Sequence, residues 1–226
     1  MAAARRRLQG TDMASKLKID FVSDVSCPWC AIGLSSLEQA LSRLDGEVGV
    51  DLHFQPFELN PDMPSEGRDF VDYLGRKYGR TPQEVARSAE AIRERGAQVG
   101  FEFGKRERVY NTFDAHRLLH WAGLQGRQRE LKHALFRAYF TEGKNPGDAD
   151  VLVDLAGKVG LDAVQARAIL ASDAYAEDVR ERERYYRDSG IDSVPSIIVN
   201  DKHLIQGGQP PDVFEQALRR IASAAQ

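Results

Sequence analysis

The chain has 226 residues, 42% of them hydrophobic and 29% charged, with a net charge of −3. That length suits one large domain, or one domain with an insertion, and folding should bury roughly 70–75% of the extended chain's surface. The balance of charge argues against a nucleic-acid partner, no apolar run reaches the ~20 residues of a membrane helix, and two cysteines cannot build a disulfide framework.

The start, Met1-Ala2-Ala3-Ala4-Arg5-Arg6-Arg7, is basic like the head of a signal peptide, but no apolar stretch follows. Residues 1–14 are therefore expected to be a disordered leader or a tag, with Met13 an alternative start, and the chain is expected to be cytoplasmic. Leu17 to Ser23 alternates polar and apolar residues and predicts a strand. Ile32, Leu34, Leu37, Ala40, Leu41 and Leu44 recur at helical spacing and predict a helix from about Cys27 to Leu44, ended by Gly46 and Gly49. Val50 to Phe57 alternates again. Strand, helix, strand suggests a parallel βαβ unit.

A long helical stretch is predicted from about Pro64 to Ser189. Thr81-Pro82-Gln83-Glu84 carries the N-cap, first-turn proline and closing glutamate of a capping box. Thr112 opens another helix, and 129–141, 148–159 and 162–189 supply the rest. The run Arg180-Glu181-Arg182-Glu183-Arg184 has opposite charges three and four apart and reads as a solvated helix face. The tail changes period: Ser196 to Val199 is a β-branched strand, Asn200-Asp201 a turn, His203 to Ile205 a returning strand, and Val213, Phe214, Ala217, Leu218 and Ile221 the stripe of a last helix. The expected fold class is α/β, thioredoxin-like with a large all-helical insertion. Residues 15–62 and 190–226 form the discontinuous thioredoxin-like domain, and 63–189 the insertion.

Cys27-Pro28-Trp29-Cys30 holds both cysteines of the chain, directly after the first strand and at the head of the first helix. A free thiol has a pKa near ~8.5, so little thiolate exists at neutral pH. Unpaired amides and the dipole of a helix start would favour a negative sulfur on Cys27. Pro28 suits the first turn, and Cys30 falls on the same helix face, deeper in the turn. Cys27 is thus the expected nucleophile and Cys30 the resolving thiol. A zinc site wants four ligands. His116 and His120 could complete a Cys₂His₂ set, but they lie far outside finger spacing, so no metal is expected. Trp29 is expected to be exposed beside the pair, and Trp121 to be packed in the insertion. Asp24 has three readings: proton shuttle or like-charge neighbour of the thiol, helix cap, or solvated side chain.

Pro195, in Ser193-Val194-Pro195-Ser196, precedes the tail strand. Base rates favour a trans strand-start proline, yet in a thioredoxin-like frame this loop faces the cysteines, where an extended substrate could pair with the Val194 backbone.

Phe21-Val22-Ser23-Asp24-Val25-Ser26-Cys27-Pro28-Trp29-Cys30, Phe54-Gln55-Pro56-Phe57-Glu58-Leu59-Asn60-Pro61, Val194-Pro195-Ser196 and Gly207-Gly208-Gln209-Pro210 together resemble the DsbA-like thioredoxin proteins of the FrnE group, over nearly all of residues 17–224. The resemblance implies a thioredoxin domain with a helical insertion, Cys27 and Cys30 as the redox pair, Pro195 as a cis-proline, and a cytosolic protein disulfide oxidoreductase. The superfamily also holds hydroxychromene-carboxylate isomerases and kappa-class glutathione transferases, which this chain resembles in Tyr110-Asn111-Thr112; that implies a substrate contact for Asn111 and glutathione as an allowed co-substrate. Those relatives generally carry serine at the position of Cys27. Retention of both cysteines favours dithiol chemistry over a glutathione-dependent isomerase or transferase acting on a small aromatic compound. Trp29 replaces the histidine of periplasmic DsbA, which implies a less oxidising pair. Pro28, Trp29, Val194, Pro195 and Asn111 are the expected substrate contacts. The expected partners are thiol or disulfide proteins or small molecules, with no resident cofactor. Homodimers fit the superfamily, and a peptide-binding chaperone without turnover is the reading from another class.

Overall fold

A computed structural model describes residues 16–224; the expected leader, residues 1–14, lies outside them. Leu17–Ser23 forms β1, buried at every position but Lys18. A strand covered on both faces belongs at the centre of a sheet. β2, Val50–Pro56, runs parallel to it, with Leu17 opposite Val50 and Ser23 opposite Pro56. The crossover is α1, Pro28–Arg43, as the sequence predicts. β5, Ser196–Val199, lies antiparallel on the other side of β1, and β6, His203–Gln206, closes a sheet ordered β2-β1-β5-β6. Asn200 and Asp201 turn between β5 and β6 at positive φ, which Asn and Asp tolerate better than other side chains. A final helix, Pro211–Ala224, buries Phe214 and Leu218 against α1.

Between β2 and β5 stand α2 (Phe70–Tyr78), α3 (Pro82–Gln98), α4 (Phe113–Leu124), α5 (Gln128–Phe136), α6 (Ala149–Lys158), α7 (Ala163–Leu170) and α8 (Ala176–Asp188), with the final helix becoming α9. The capping box of α3 forms as predicted: Thr81 Oγ1 accepts from the Glu84 amide, and the Glu84 carboxylate accepts from the Thr81 amide at 2.8 Å. Two expectations need correction. The helix predicted over 162–189 is broken, because Tyr175 adopts φ +61° ahead of α8. The insertion is helical except for a short antiparallel ribbon, β3 (Arg68–Asp69) with β4 (Arg108–Val109). Gly67 permits that pairing: its φ is +70°, and a Cβ there would sit 2.4 Å from the Val109 carbonyl oxygen.

A third correction concerns the charged run of α8. Glu183 is buried and accepts from the Glu58 amide at 3.0 Å. Arg180 pairs with both Glu183 and buried Glu58, and stacks 3.7 Å from the Phe113 ring centre. Alternating charge has the same period whether it faces water or a buried network, so spacing alone misreads it. Burial and the neighbouring Glu183 push the Glu58 carboxyl upward.

The sheet, α1 and α9 share one apolar core, and Phe103, Phe136 and Phe140 of the insertion enter it. Each such buried ring contributes about 1.5–3 kcal/mol. Leu118, Leu131, Leu135 and Leu152 build a second core among the insertion helices, which takes in Val25 just before the cysteines. Trp121 is buried there as expected. Gln128 seals the free edge of β2 like a short strand: Oε1 accepts from the Phe54 amide and Nε2 donates to the Phe54 carbonyl, both at 3.0 Å.

Candidate active site

The segment Asp24–Ser26 carries the chain from β1 to α1, and Cys27 is the residue immediately before the first helical turn, in extended conformation (φ −90°, ψ 113°). Pro28 occupies that turn, which contains no acidic side chain. Cys27 thus stands at the positive end of α1, although its side chain makes no capping hydrogen bond to the helix. The Cys30 amide donates to the Cys27 carbonyl at 3.1 Å, folding the motif into one tight turn. Both cysteines are free, buried thiols. Cys27 is 4% exposed and Cys30 wholly buried, so the depth order follows their helix positions.

The Val194–Pro195 bond is cis, and the Cys27 thiol donates to the Val194 carbonyl at 3.6 Å. The loop reaches the helix because α1 has a glycine facing it. A Cβ on Gly33 would lie 3.0 Å from Pro195 Cγ, and one on Gly208 would lie 2.9 Å from the Trp29 carbonyl. Two missing side chains thus bring the Pro195 loop and the turn after β6 against the Cys27–Cys30 turn. Trp29 stays 42% exposed beside it.

Asp24 fits none of its expected orientations towards water or a helix cap. It is fully buried and accepts from the Ser26 amide (3.2 Å), the Ser26 hydroxyl (2.8 Å), the Leu59 amide (2.8 Å) and the Thr112 hydroxyl (2.8 Å), with His116 Nε2 at 3.4 Å. One carboxylate thus ties the cysteine loop to the chain after β2 and to the start of α4. Burial opposes the charge, but His116, the Leu59 amide and the Thr112 hydroxyl together hold its pKa down at about 2.

The buried Cys30 thiol is pushed well above its ordinary value by desolvation and by Cys27; the charge of Lys132 acts the other way. Lys132, on α5, is itself buried, with its ammonium 4.9 Å from the Phe136 ring centre and no ion pair among the described residues. Desolvation lowers its pKa to about 8. The buried Cys30 thiol thus has a buried amine within electrostatic reach.

A cavity of about 430 Å³ opens beside Cys27, between the cysteine turn, α2, α3 and the Val194 loop. Ser26, Cys27, Pro28, Trp29 and Val194 line one side; Phe70, Leu74, Val85, Ile92 and Tyr139 line the other. Of the expected site residues, Cys27, Pro28, Trp29 and Val194 line this cavity, while Cys30 and Pro195 do not. Asn111 stands apart from this lining. It staples the loop before α4, donating to the Pro61 and Met63 carbonyls at 3.3 and 3.2 Å and accepting from the Phe113 amide at 2.9 Å. The sequence reading missed Lys77, Arg80 and Arg106, which also line the cavity. Arg106 sits in Lys105-Arg106-Glu107-Arg108, where nothing local marks it from its solvated neighbours. A second cavity of about 440 Å³, between β2, α4 and α5, holds His116, His120 and Lys132 but no thiol. Among the described residues no three His, Cys, Asp or Glu side chains cluster as a metal site would require.

A family model for DSBA-like thioredoxin domains matches residues 18–219. An uncharacterised protein, YwbO, of Bacillus subtilis is 30% identical over 201 residues, covering 88% of this chain and 94% of that one. The crystal structure of a probable DsbA oxidoreductase from Streptomyces coelicolor superposes with a TM-score of 0.87 at 33% identity, covering 93% of this chain and 91% of the other. The cytosolic disulfide reductase DsbM of Pseudomonas aeruginosa, solved with GSH, shares the fold at a TM-score of 0.60 and 18% identity, over 90% of this chain and 98% of that one. The chain belongs to the family of DSBA-like thioredoxin domains.

Proposed function

We propose that the chain is a cytoplasmic thiol–disulfide oxidoreductase of the FrnE type, with Cys27 as nucleophile and Cys30 as resolving thiol. The observation that carries this is the Cys27 sulfur at the head of α1, opening onto a cavity, with Cys30 buried behind it. In the reducing direction, the Cys27 thiolate attacks one sulfur of a substrate disulfide. That S–S bond breaks, the leaving thiolate takes up a proton, and a mixed disulfide with Cys27 remains. Cys30 then gives up its proton and attacks the Cys27 sulfur; the second substrate thiolate leaves, and a Cys27–Cys30 disulfide forms. Two electrons pass to the substrate, and an external thiol restores the dithiol. Pro28, Trp29 and the Val194–Pro195 backbone border the path of the incoming sulfur. Reduction of insulin by dithiothreitol tests the reading: the wild-type chain accelerates it, and a rate no higher than that of Cys27→Ser contradicts it.

The largely apolar cavity beside Cys27 supports a second reading, a glutathione-dependent isomerase or transferase acting on a small aromatic compound. Retention on immobilised glutathione, with activity that survives Cys30→Ser, would favour it over disulfide exchange.

A further inference from the structure

The cavity beside Cys27 has a charge pattern that disulfide exchange does not require. Arg106 lies 4.5 Å from the Phe70 ring centre and 5.1 Å from that of Phe140, yet no carboxylate pairs with it among the described residues. Lys77 donates to the Leu59 carbonyl at 3.0 Å and the Asn60 side-chain oxygen at 2.6 Å, both uncharged. Arg80 donates to the Ser88 hydroxyl at 2.8 Å. Elsewhere arginines of this chain find carboxylates, as Arg43, Arg129 and Arg219 do. Three cations against one lining carboxylate, Asp192, is an unbalanced set in a chain of net charge −3. Burial lowers the pKa of Arg106 and of Lys77, the signature of cations short of a counter-ion. The remaining walls are mostly apolar, and the volume suits a small molecule rather than a folded surface.

We propose that this cavity selects small thiols or disulfides with an apolar body and a carboxylate, and that Arg106, seated among its aromatic rings, receives the carboxylate. The inference rests on the oxidoreductase reading only for the sulfur; the anion preference is a property of the cavity. A carboxylate there would face a guanidinium in a partly desolvated setting, where a charge pair is stronger than in water.

The test is a calorimetric titration of the Cys27→Ser/Cys30→Ser chain, which cannot react, with 2-naphthoate and with the uncharged 2-naphthamide. The carboxylate should bind at least about tenfold more tightly, and the preference should weaken in high salt. Arg106→Met should remove the preference, and Arg106→Lys, which keeps the charge, should retain most of it. Glutathione, anionic without an apolar body, should bind more weakly than 2-naphthoate. Equal affinity for carboxylate and amide, a preference unchanged by Arg106→Met, or tighter binding of glutathione overturns the proposal. Absence of disulfide turnover would sink the oxidoreductase reading and leave this titration to be judged separately.

Discussion

Asp24→Asn removes the charge that joins the cysteine loop to the rest of the molecule. In the folded chain the carboxyl lies at about 2, against an ordinary value of 3.8. That depression corresponds to roughly 2 kcal/mol of stability at neutral pH. Asparagine adds a second loss. Four donors point at Asp24, from the Ser26 amide and hydroxyl, the Leu59 amide and the Thr112 hydroxyl. The NH₂ of asparagine would meet one or more of them donor to donor, and a buried donor left without an acceptor costs about 1–3 kcal/mol. The expected total is about 3–5 kcal/mol at pH 7, a fall in Tm on the order of 10 °C for a chain of this size. The pH dependence separates the two parts. A folded-state pKa below the unfolded one gives stability that is complete above about pH 4 and lost as the pH falls through about 2. The gap between wild type and Asp24→Asn, measured by guanidinium unfolding, should therefore hold from pH 7 to 5 and narrow to the hydrogen-bond remainder near pH 2. A gap below about 0.5 kcal/mol at pH 7, within the range of an ordinary surface substitution, would refute the reasoning. So would a gap that stays constant down to pH 2.

Lys132→Met should stabilise the chain by about 3 kcal/mol at pH 7, because an apolar side chain replaces a buried ammonium whose pKa has fallen from 10.5 to about 8. The sign is that of a base whose folded pKa lies below its unfolded one: the cost of the charge is full below pH 8 and fades as the pH rises to 10.5, so the advantage of Met, read by guanidinium unfolding, should fade over that window. The same variant removes a charge that lowers the Cys30 pKa, so stopped-flow should show slower release of the mixed disulfide at neutral pH. Gly208→Val should cost about 1–3 kcal/mol of stability and slow alkylation of Cys27, since its Cβ would press on the Trp29 carbonyl at 2.9 Å; an unchanged Tm and rate would show that the turn after β6 yields freely.

The frame was legible because its signals are local. Alternation marks β1 and β2, the 3.6-residue stripe marks α1 and α9, and Thr81 to Glu84 announces its own capping box. The placement of Cys27 and Cys30 at a strand–helix junction was legible because the strand before them and the helix after them each carry their own periodicity. What the sequence hid depends on partners distant along the chain. Asp24 is a buried hub only because Leu59 and Thr112 fold back onto it, 35 and 88 residues away. Glu183 looks like its solvated neighbours until Glu58 meets it from 125 residues away. Arg106 gains its role from the aromatic rings around it. Asn111, singled out by resemblance, holds a loop here, because its amide reaches the Pro61 and Met63 carbonyls.

The central claim is that Cys27 attacks and Cys30 resolves. Mass spectrometry of the chain after reaction with 5,5′-dithiobis(2-nitrobenzoate) tests it directly. Cys30→Ser should hold one thionitrobenzoate on Cys27, while the reduced wild type should release both thionitrobenzoates and end with a Cys27–Cys30 disulfide. No adduct on Cys27, or faster labelling of Cys30 in Cys27→Ser than of Cys27 in Cys30→Ser, would contradict the account.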